Sequence, residues 1–97
     1  MTRAYQLTQI ADQDLSEIWR NTCKHWNAKQ ADKYLSELEA CFIELTEFPK
    51  LGKQRPDINA AYRSLHRKHH IIFYRHQQRR IEIIRVLHER MDIKLQI

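Results

Sequence analysis

The residues best suited to acid–base or phosphate chemistry lie in the last third of this 97-residue chain. Arg63, Arg85 and His88 fall in segments whose apolar pattern predicts neighbouring strands. Two guanidinium groups can hold a phosphate, and an imidazole can exchange a proton near neutral pH. These three residues are therefore the candidates for acid–base chemistry at a phosphate.

A second proton donor is missing from this set. The chain has no tyrosine after Tyr74. Glu89 follows His88 directly, and successive residues of a strand point to opposite faces, so the two side chains would not converge. The surface is therefore better equipped to bind a partner than to catalyse a reaction.

Simpler roles explain the same residues. The two arginines can form surface ion pairs with Glu82 or Asp57, and such pairs contribute little to stability. His88 can be a partly buried histidine that is bonded to the backbone. These alternatives remain open at the level of the sequence.

Positive charge is concentrated in the second half of the chain. Residues 1–49 hold 5 basic and 8 acidic side chains, whereas residues 50–97 hold 12 and 4, within a total net charge of +5. A field of this kind favours an anionic partner, either an acidic protein segment or a nucleic acid. A solvated basic face without a ligand is the simpler alternative.

Two amphipathic helices are predicted in the first half. Thr8 can cap the first helix, Asn27 can cap the second, and Pro49 ends it. Their apolar stripes predict a helical hairpin, and we expect Trp19, Leu38 and Phe42 to lie in the core. Trp26 is expected to pack at the hairpin, with exposure to a partner at the hairpin tip as the alternative.

The rest of the chain predicts strands. A short strand at residues 3–7 precedes the helices, a loop follows at residues 50–59, and a hairpin turn is predicted at residues 76–80. Three strands are predicted at residues 61–67, 69–75 and 81–88, and the last is apolar on both faces, as a central strand is. Residues 90–97 are expected to form a helical turn or an extended tail.

These elements predict one α+β domain over residues 1–97. The helical hairpin would pack on one face of a small antiparallel sheet, and the opposite face would line a groove.

Several classes of protein are not supported. The longest apolar run, residues 71–74, is far too short to cross a membrane, and the N-terminus lacks a signal-peptide pattern, so we expect a cytoplasmic protein. Cys23 and Cys41 are predicted to lie about 15 Å apart on the two helices, as free thiols.

We expect neither a metal nor a cofactor. Strand alternation separates His66 and His70 from His69, and no cysteine lies nearby to complete a zinc site. Arg67 and Lys68 in the same region match no nucleic-acid-binding motif, so direct sequence-specific binding of nucleic acid is not expected.

Short motifs along nearly the whole chain resemble the ParE group of small bacterial toxins, within the RelE/ParE superfamily. No motif is specific alone, but they occur in order and at the spacing of the family. They are Asp14-Leu15, Ile18-Trp19, Trp26, Gln30-Ala31, Tyr34-Leu35, Leu51-Gly52-Lys53, Asp57-Ile58, Arg63-Ser64, Ile72-Phe73-Tyr74-Arg75, Ile81-Glu82-Ile83, Arg85-Val86-Leu87-His88 and Met91-Asp92.

The resemblance implies a toxin of a type II toxin–antitoxin pair. ParE-type members are taken to poison DNA gyrase and are neutralised by an antitoxin with a disordered, often acidic C-terminal segment. RelE-type members cleave messenger RNA on the ribosome without a metal, often with a tyrosine near the last strand or the tail. If the protein is a ribonuclease of this type, its catalytic set would be Arg63, Arg85 and His88. We favour the gyrase hypothesis over the ribonuclease, with an inactive antitoxin-binding relative as a third alternative.

A partner-binding surface follows from the charge and the resemblance. We expect hetero-oligomers with a ParD-like antitoxin and an exposed basic surface that reaches gyrase. The predicted contact residues are Trp26, Arg63, Arg67, Arg75, Arg85, His88, Arg90 and Met91.

Overall fold

A computed structural model describes residues 5–91 and 93–97. Two long helices follow a short first strand, and the remaining strands come after them. The elements are β1 (Tyr5–Leu7), α1 (Gln9–His25), α2 (Ala28–Glu47), β2 (Lys53–Gln54), β3 (Tyr62–Arg67), β4 (His70–Gln77), β5 (Arg80–His88) and α3 (Ile93–Gln96).

The helices begin where their capping residues predict. The Thr8 hydroxyl accepts the backbone N–H of Ala11 at 3.0 Å, and the Asn27 side chain accepts that of Gln30 at 2.8 Å. Each cap satisfies a backbone donor that has no partner inside the helix. The helix α2 ends two residues before Pro49, and the tail forms the short helix α3.

The sheet has five strands in the order β1-β5-β4-β3-β2. The predicted α+β fold, with an N-terminal strand and a helical hairpin packed on a sheet, is confirmed. The sheet is mixed, because β1 runs parallel to β5 while the other pairs are antiparallel. Residues 3 and 4 of the predicted first strand lie outside the described residues.

Two local predictions needed correction. The strand β2 lies inside the segment that we predicted as a loop, where Lys53 pairs with Ser64. The turn between β4 and β5 is shorter than predicted, since it consists only of Gln78 and Arg79, with φ of 51° and 63°. Two successive positive φ values match the twist of a tight hairpin, although glycine or asparagine usually occupies these positions.

The core lies between the helices and one face of the sheet. Leu38 and Phe42 of α2 are buried there, as predicted, and Ile72 and Ile83 are buried opposite them. The prediction for Trp19 is wrong, because this side chain is 36% exposed and its Nε1 donates to the Asp32 carboxylate at 2.9 Å. Trp19 links α1 to α2 at the surface.

The opposite face of the sheet does not line the groove that we expected there. Phe73 is buried on this face, and the Arg55 guanidinium lies 5.5 Å from the centre of its ring. Arg55 also donates to the Ser64 hydroxyl and twice to the Asp57 carboxylate. The segment after β2 therefore covers part of this face.

Gly52 lies where no side chain fits. Its N–H donates to the Tyr74 hydroxyl at 2.8 Å, and that hydroxyl donates to the Pro49 carbonyl at 2.7 Å. A Cβ atom at this position would lie 2.7 Å from the Ser64 carbonyl oxygen and from two atoms of the Tyr74 ring and hydroxyl. The loop must contain glycine to approach the sheet this closely.

Replacing Gly52 by Ala should lower the free energy of unfolding by about 1–3 kcal/mol, because the new methyl group meets backbone and a fully buried ring. Chemical denaturation followed by circular dichroism measures the change. Lys53→Ala at the adjacent exposed position should stay within about 0.5 kcal/mol of the parent. A Gly52→Ala variant as stable as the parent would show that the loop relaxes freely.

Candidate functional site: a groove between the helical hairpin and the sheet

A groove of about 570 Å³ opens between the helical hairpin and the ends of β4 and β5. Its walls combine apolar and basic side chains from α1, α2, the β3–β4 turn, β5 and the segment after it. The lining includes Trp26, Tyr34, His69, His70, His88 and Met91. The groove lies on the helical side of the sheet.

Three ring side chains form a cluster in this groove. The Tyr34 hydroxyl lies 2.5 Å from Nδ1 of His70, and their ring centres are 5.3 Å apart. His70 and His88 are directly paired across β4 and β5, with ring centres 5.3 Å apart in a T-shaped arrangement. The cluster therefore joins α2 to the two central strands.

His70 is neutral at physiological pH. Burial, assisted by the neighbouring His88 and His69, lowers the pKa of His70 to about 4. Burial also raises the pKa of Tyr34, so its hydroxyl stays protonated. The cluster combines an uncharged phenol with an uncharged imidazole.

Asp14 holds α1 against β5 beside the groove. Its carboxylate accepts from Nε and Nη2 of Arg85, both at 2.9 Å, and from the backbone N–H of Val86 at 3.0 Å. These hydrogen bonds raise the pKa of Arg85, which stays charged. Because the Arg85 side chain is only 15% exposed, the expectation that it lies on an open basic surface is wrong.

A bulge in β5 accompanies this arrangement. Phe73 pairs with Arg85 and Tyr74 pairs with Ile83, so Ile84 is an extra residue of β5. The Ile84 carbonyl accepts a hydrogen bond from the Thr8 hydroxyl at 2.8 Å, so the start of α1 is also bound to β5. Bulges of this kind redirect the side chains beside them.

Three predicted partner-binding residues lie together in the groove. Trp26 at the hairpin tip is 75% exposed and Met91 is 51% exposed. The packing that we expected for Trp26 is therefore wrong and its exposure at the hairpin tip is confirmed, whereas its contact with a partner stays a prediction. His88, the last residue of β5, also lines the groove, and its Nδ1 accepts the backbone N–H of Arg90 at 3.1 Å.

The other predicted contact residues are held by internal partners. Arg63 donates to the Gly52 carbonyl at 2.8 Å. Arg67 pairs with Glu44 and Arg75 with Glu82, and both arginine side chains are 38% exposed. Arg90 is exposed after β5. Their contact with a partner stays a prediction.

The three residues of the conditional ribonuclease set are dispersed. Arg63 pairs with Tyr74 across the sheet, whereas His88 pairs with His70, four residues away along β4. Four residues of a strand span about 13 Å. The Arg85 guanidinium is bound by the Asp14 carboxylate of α1.

The Glu89 carboxylate contacts histidines that do not belong to this set. Its carboxylate lies 3.2 Å from both His66 and His69. The expected separation of these two histidines is wrong, because His69 lies in the turn before β4 and not in the strand. No group of three or more His, Cys, Asp or Glu side chains within residues 5–91 and 93–97 is arranged to hold a metal ion.

The cysteine thiols and the lengths of the helices can also be compared with the structure. Cys23 and Cys41 are both free and half-buried, and burial raises the pKa of the Cys41 thiol. No helix of the described segments is long and apolar enough to span a bilayer.

Sequence reasoning missed part of the groove. In the sequence, Tyr34 stands out only as part of a family motif, and His70 only as a possible metal ligand. The pairing of β4 with β5 places His70 beside His88, so aligning the two predicted strands could have found this pair. The contact between Tyr34 and His70 joins residues 36 positions apart and leaves no local signal.

Comparisons with known proteins identify the family. A model described as "ParE toxin of type II toxin-antitoxin system, parDE" matches residues 5–93. Toxin ParE1 of Mycobacterium tuberculosis is 36% identical over 94 residues, which is 96% of each chain. Toxin ParE1 of Caulobacter vibrioides is 36% identical over 92 residues, and Toxin ParE of Escherichia coli is 32% identical over 91 residues, covering 95% and 88% of those proteins.

A solved structure supports the fold. A chain described as "Chromosomal ParDE TA system from P. aeruginosa" matches with a TM-score of 0.72 and 21% identity, over 90% of this chain and 98% of that one. The family match and the relatives extend over nearly the whole sequence, including the helical hairpin and the strands that form the groove. The chain therefore belongs to the ParE toxin family of type II toxin–antitoxin systems.

Proposed function

We propose that this toxin inhibits DNA gyrase by binding rather than by catalysis, and that a ParD-like antitoxin neutralises it by docking an acidic segment in the groove. The observation that carries the antitoxin part is the groove itself, which combines exposed apolar groups with basic ones. An amphipathic, anionic peptide gains apolar burial and electrostatic attraction there.

The charge of the groove supports this partner. Lys68, which pairs with Glu37, and four histidines, of which His70 is neutral, line it. Its acidic residues, Asp14 and Glu17, are paired with Arg85 and Arg20. A disordered acidic segment that folds on binding would bury Trp26 and Met91 and place its carboxylates against these imidazole and ammonium groups. The matching P. aeruginosa structure is described as a ParDE system, which is consistent with such a partner.

The dispersal of Arg63, Arg85 and His88 supports the non-catalytic part of the proposal. Cleavage of RNA needs acid, base and cationic groups around one phosphate. Here Arg85 is bound by Asp14, and the Nδ1 atom of His88 is occupied by a backbone N–H. The family membership favours gyrase as the alternative target.

Purified toxin incubated with gyrase, ATP and plasmid should accumulate cleaved DNA complexes or reduce supercoiling. His88→Ala should keep this effect, because the proposal gives the residue no catalytic role. A parallel assay with translating ribosomes should show no cleavage of the message. Message cleavage that His88→Ala abolishes, with gyrase unaffected, would replace this proposal by the ribonuclease.

Trp26→Ala should weaken antitoxin binding at least about tenfold, since large exposed aromatic residues often dominate interfaces. Its melting temperature should stay near that of the parent, because the side chain is 75% exposed. Trp19→Ala is the matched control, as Trp19 lies on the same hairpin outside the groove. Equal antitoxin affinity for the parent and Trp26→Ala, measured by calorimetry, would exclude the hairpin tip from the interface.

A further inference from the structure

Two imidazole N–H groups in the groove have unused hydrogen-bonding capacity. Nδ1 of His88 accepts the backbone N–H of Arg90, so the proton of the neutral ring lies on Nε2. The Tyr34 hydroxyl lies 2.5 Å from Nδ1 of His70. When the hydroxyl donates this hydrogen bond, the proton of the neutral His70 ring also lies on Nε2.

Both Nε2–H groups are accessible. The hydrogen bonds of the two rings to described residues use Nδ1 only. Among these residues, no buried side-chain nitrogen or oxygen lacks a partner, so the unpaired Nε2 atoms must reach solvent. Because both rings line the groove, a bound molecule can meet them there.

The two donors are close enough to serve one ligand. The centres of the His70 and His88 rings are 5.3 Å apart. A carboxylate can accept a hydrogen bond of about 2.8 Å at each of its two oxygens. We propose that His70 and His88 form a carboxylate-binding site that recognises an Asp or Glu side chain of the antitoxin. This inference rests on the proposed function, since it assumes that the groove takes an acidic segment.

The surroundings of His70 favour an external carboxylate. The facing groups are Tyr34 on α2, Asp14 on α1, His69, His88 and Glu89. The Asp14 carboxylate is bound by Arg85, and that of Glu89 lies between His66 and His69. Of the other charged groups lining the groove, Glu17 pairs with Arg20 and Lys68 with Glu37, while the His25 ring contacts a backbone carbonyl.

The site should couple binding to protonation. The free His70 is neutral above its pKa of about 4, and a bound carboxylate stabilises the imidazolium. Proton uptake at His70 therefore accompanies binding at pH values between the pKa of the free ring and that of the bound ring, and the Tyr34 hydroxyl then turns from donor to acceptor. Affinity should rise as the pH falls from 7 towards 5 and level off near pH 4, where the free ring is itself half protonated.

Nitrogen-15 NMR of the isolated toxin tests the site without any antitoxin. Both rings should appear as Nε2–H tautomers. Sodium acetate should shift the Nε2 signals of His70 and His88, whereas sodium chloride at equal ionic strength should not. The exposed His76 on the same strand is the internal control and should respond equally to both salts. An Nδ1–H tautomer at either ring, or no specific response to acetate, would overturn the site.

Calorimetry with the acidic segment of the antitoxin encoded beside the toxin gene tests its role. The parent should bind at least about threefold more tightly at pH 5 than at pH 7. His70→Gln keeps an N–H donor but cannot titrate, so it should lose this difference, while His76→Gln should retain it. A pH dependence that persists in His70→Gln overturns the proton coupling. If the segment does not bind at all, the proposed function fails, and the acetate experiment still decides the site.

Discussion

Replacing Asp14 by Ala should lower the free energy of unfolding by about 3 kcal/mol or more. The substitution leaves the Arg85 guanidinium, 15% exposed, without its counter-charge and the Val86 N–H without its acceptor. Removing one partner of a buried ion pair typically costs about 3–5 kcal/mol. In a domain of this size the melting temperature should fall by more than about 10 °C, which differential scanning calorimetry measures.

Glu17→Ala provides the matched control for this result. Glu17 lies one turn further along α1 and pairs with Arg20 at the surface, where both side chains are more than half exposed. Its loss should cost less than about 1 kcal/mol. A double-mutant cycle with Asp14→Ala and Arg85→Ala should give a coupling energy above about 1 kcal/mol, and additive effects would refute the pairing.

Phe42→Ala should destabilise the protein by about 3–5 kcal/mol, because it removes a 1% exposed ring from the centre of the core and leaves a cavity. The ring meets Tyr5 of β1 edge to face, with centres 5.4 Å apart, so the loss also weakens the contact between α2 and the first strand. Leu38→Ala, one turn earlier, should cost about 2–5 kcal/mol.

Ile43→Ala on the same helix tests whether burial causes the loss. The Ile43 side chain is 50% exposed, so the change should cost less than about 1 kcal/mol. Urea denaturation at constant pH compares the variants. Equal losses for Phe42→Ala and Ile43→Ala would show that helix propensity, and not the core, determines the effect.

The helices and most strands could be predicted because their signals are local. Thr8 and Asn27 lie directly before apolar stripes, and Pro49 prevents α2 from continuing. The stripe alone could not place Trp19, since a residue at the margin of a helical face can point either inward or towards the neighbouring helix. Its hydrogen bond to Asp32 depends on how the two helices pack.

The candidate site was predictable only in part. Trp26 and His88 stood out by residue type, but their shared groove depends on how the helical hairpin lies on the sheet. The hydrogen-bonded ion pair between Asp14 and Arg85 connects residues 71 positions apart, and no local sequence pattern indicates it. The parallel direction of β1 likewise depends on a partner strand at the other end of the chain.

That pairing of β1 with β5 has a consequence for how the toxin is made. Tyr5 pairs with Ile81, and Thr8 bonds to a carbonyl 76 residues later, so the first strand has no sheet partner until β5 has been synthesised. The helical hairpin can form early, because its contacts are local, but the sheet can be completed only after β5 has been synthesised. Contacts between distant residues also slow folding. The groove therefore cannot form before β5 is available, and a nascent toxin that lacks β5 is incomplete.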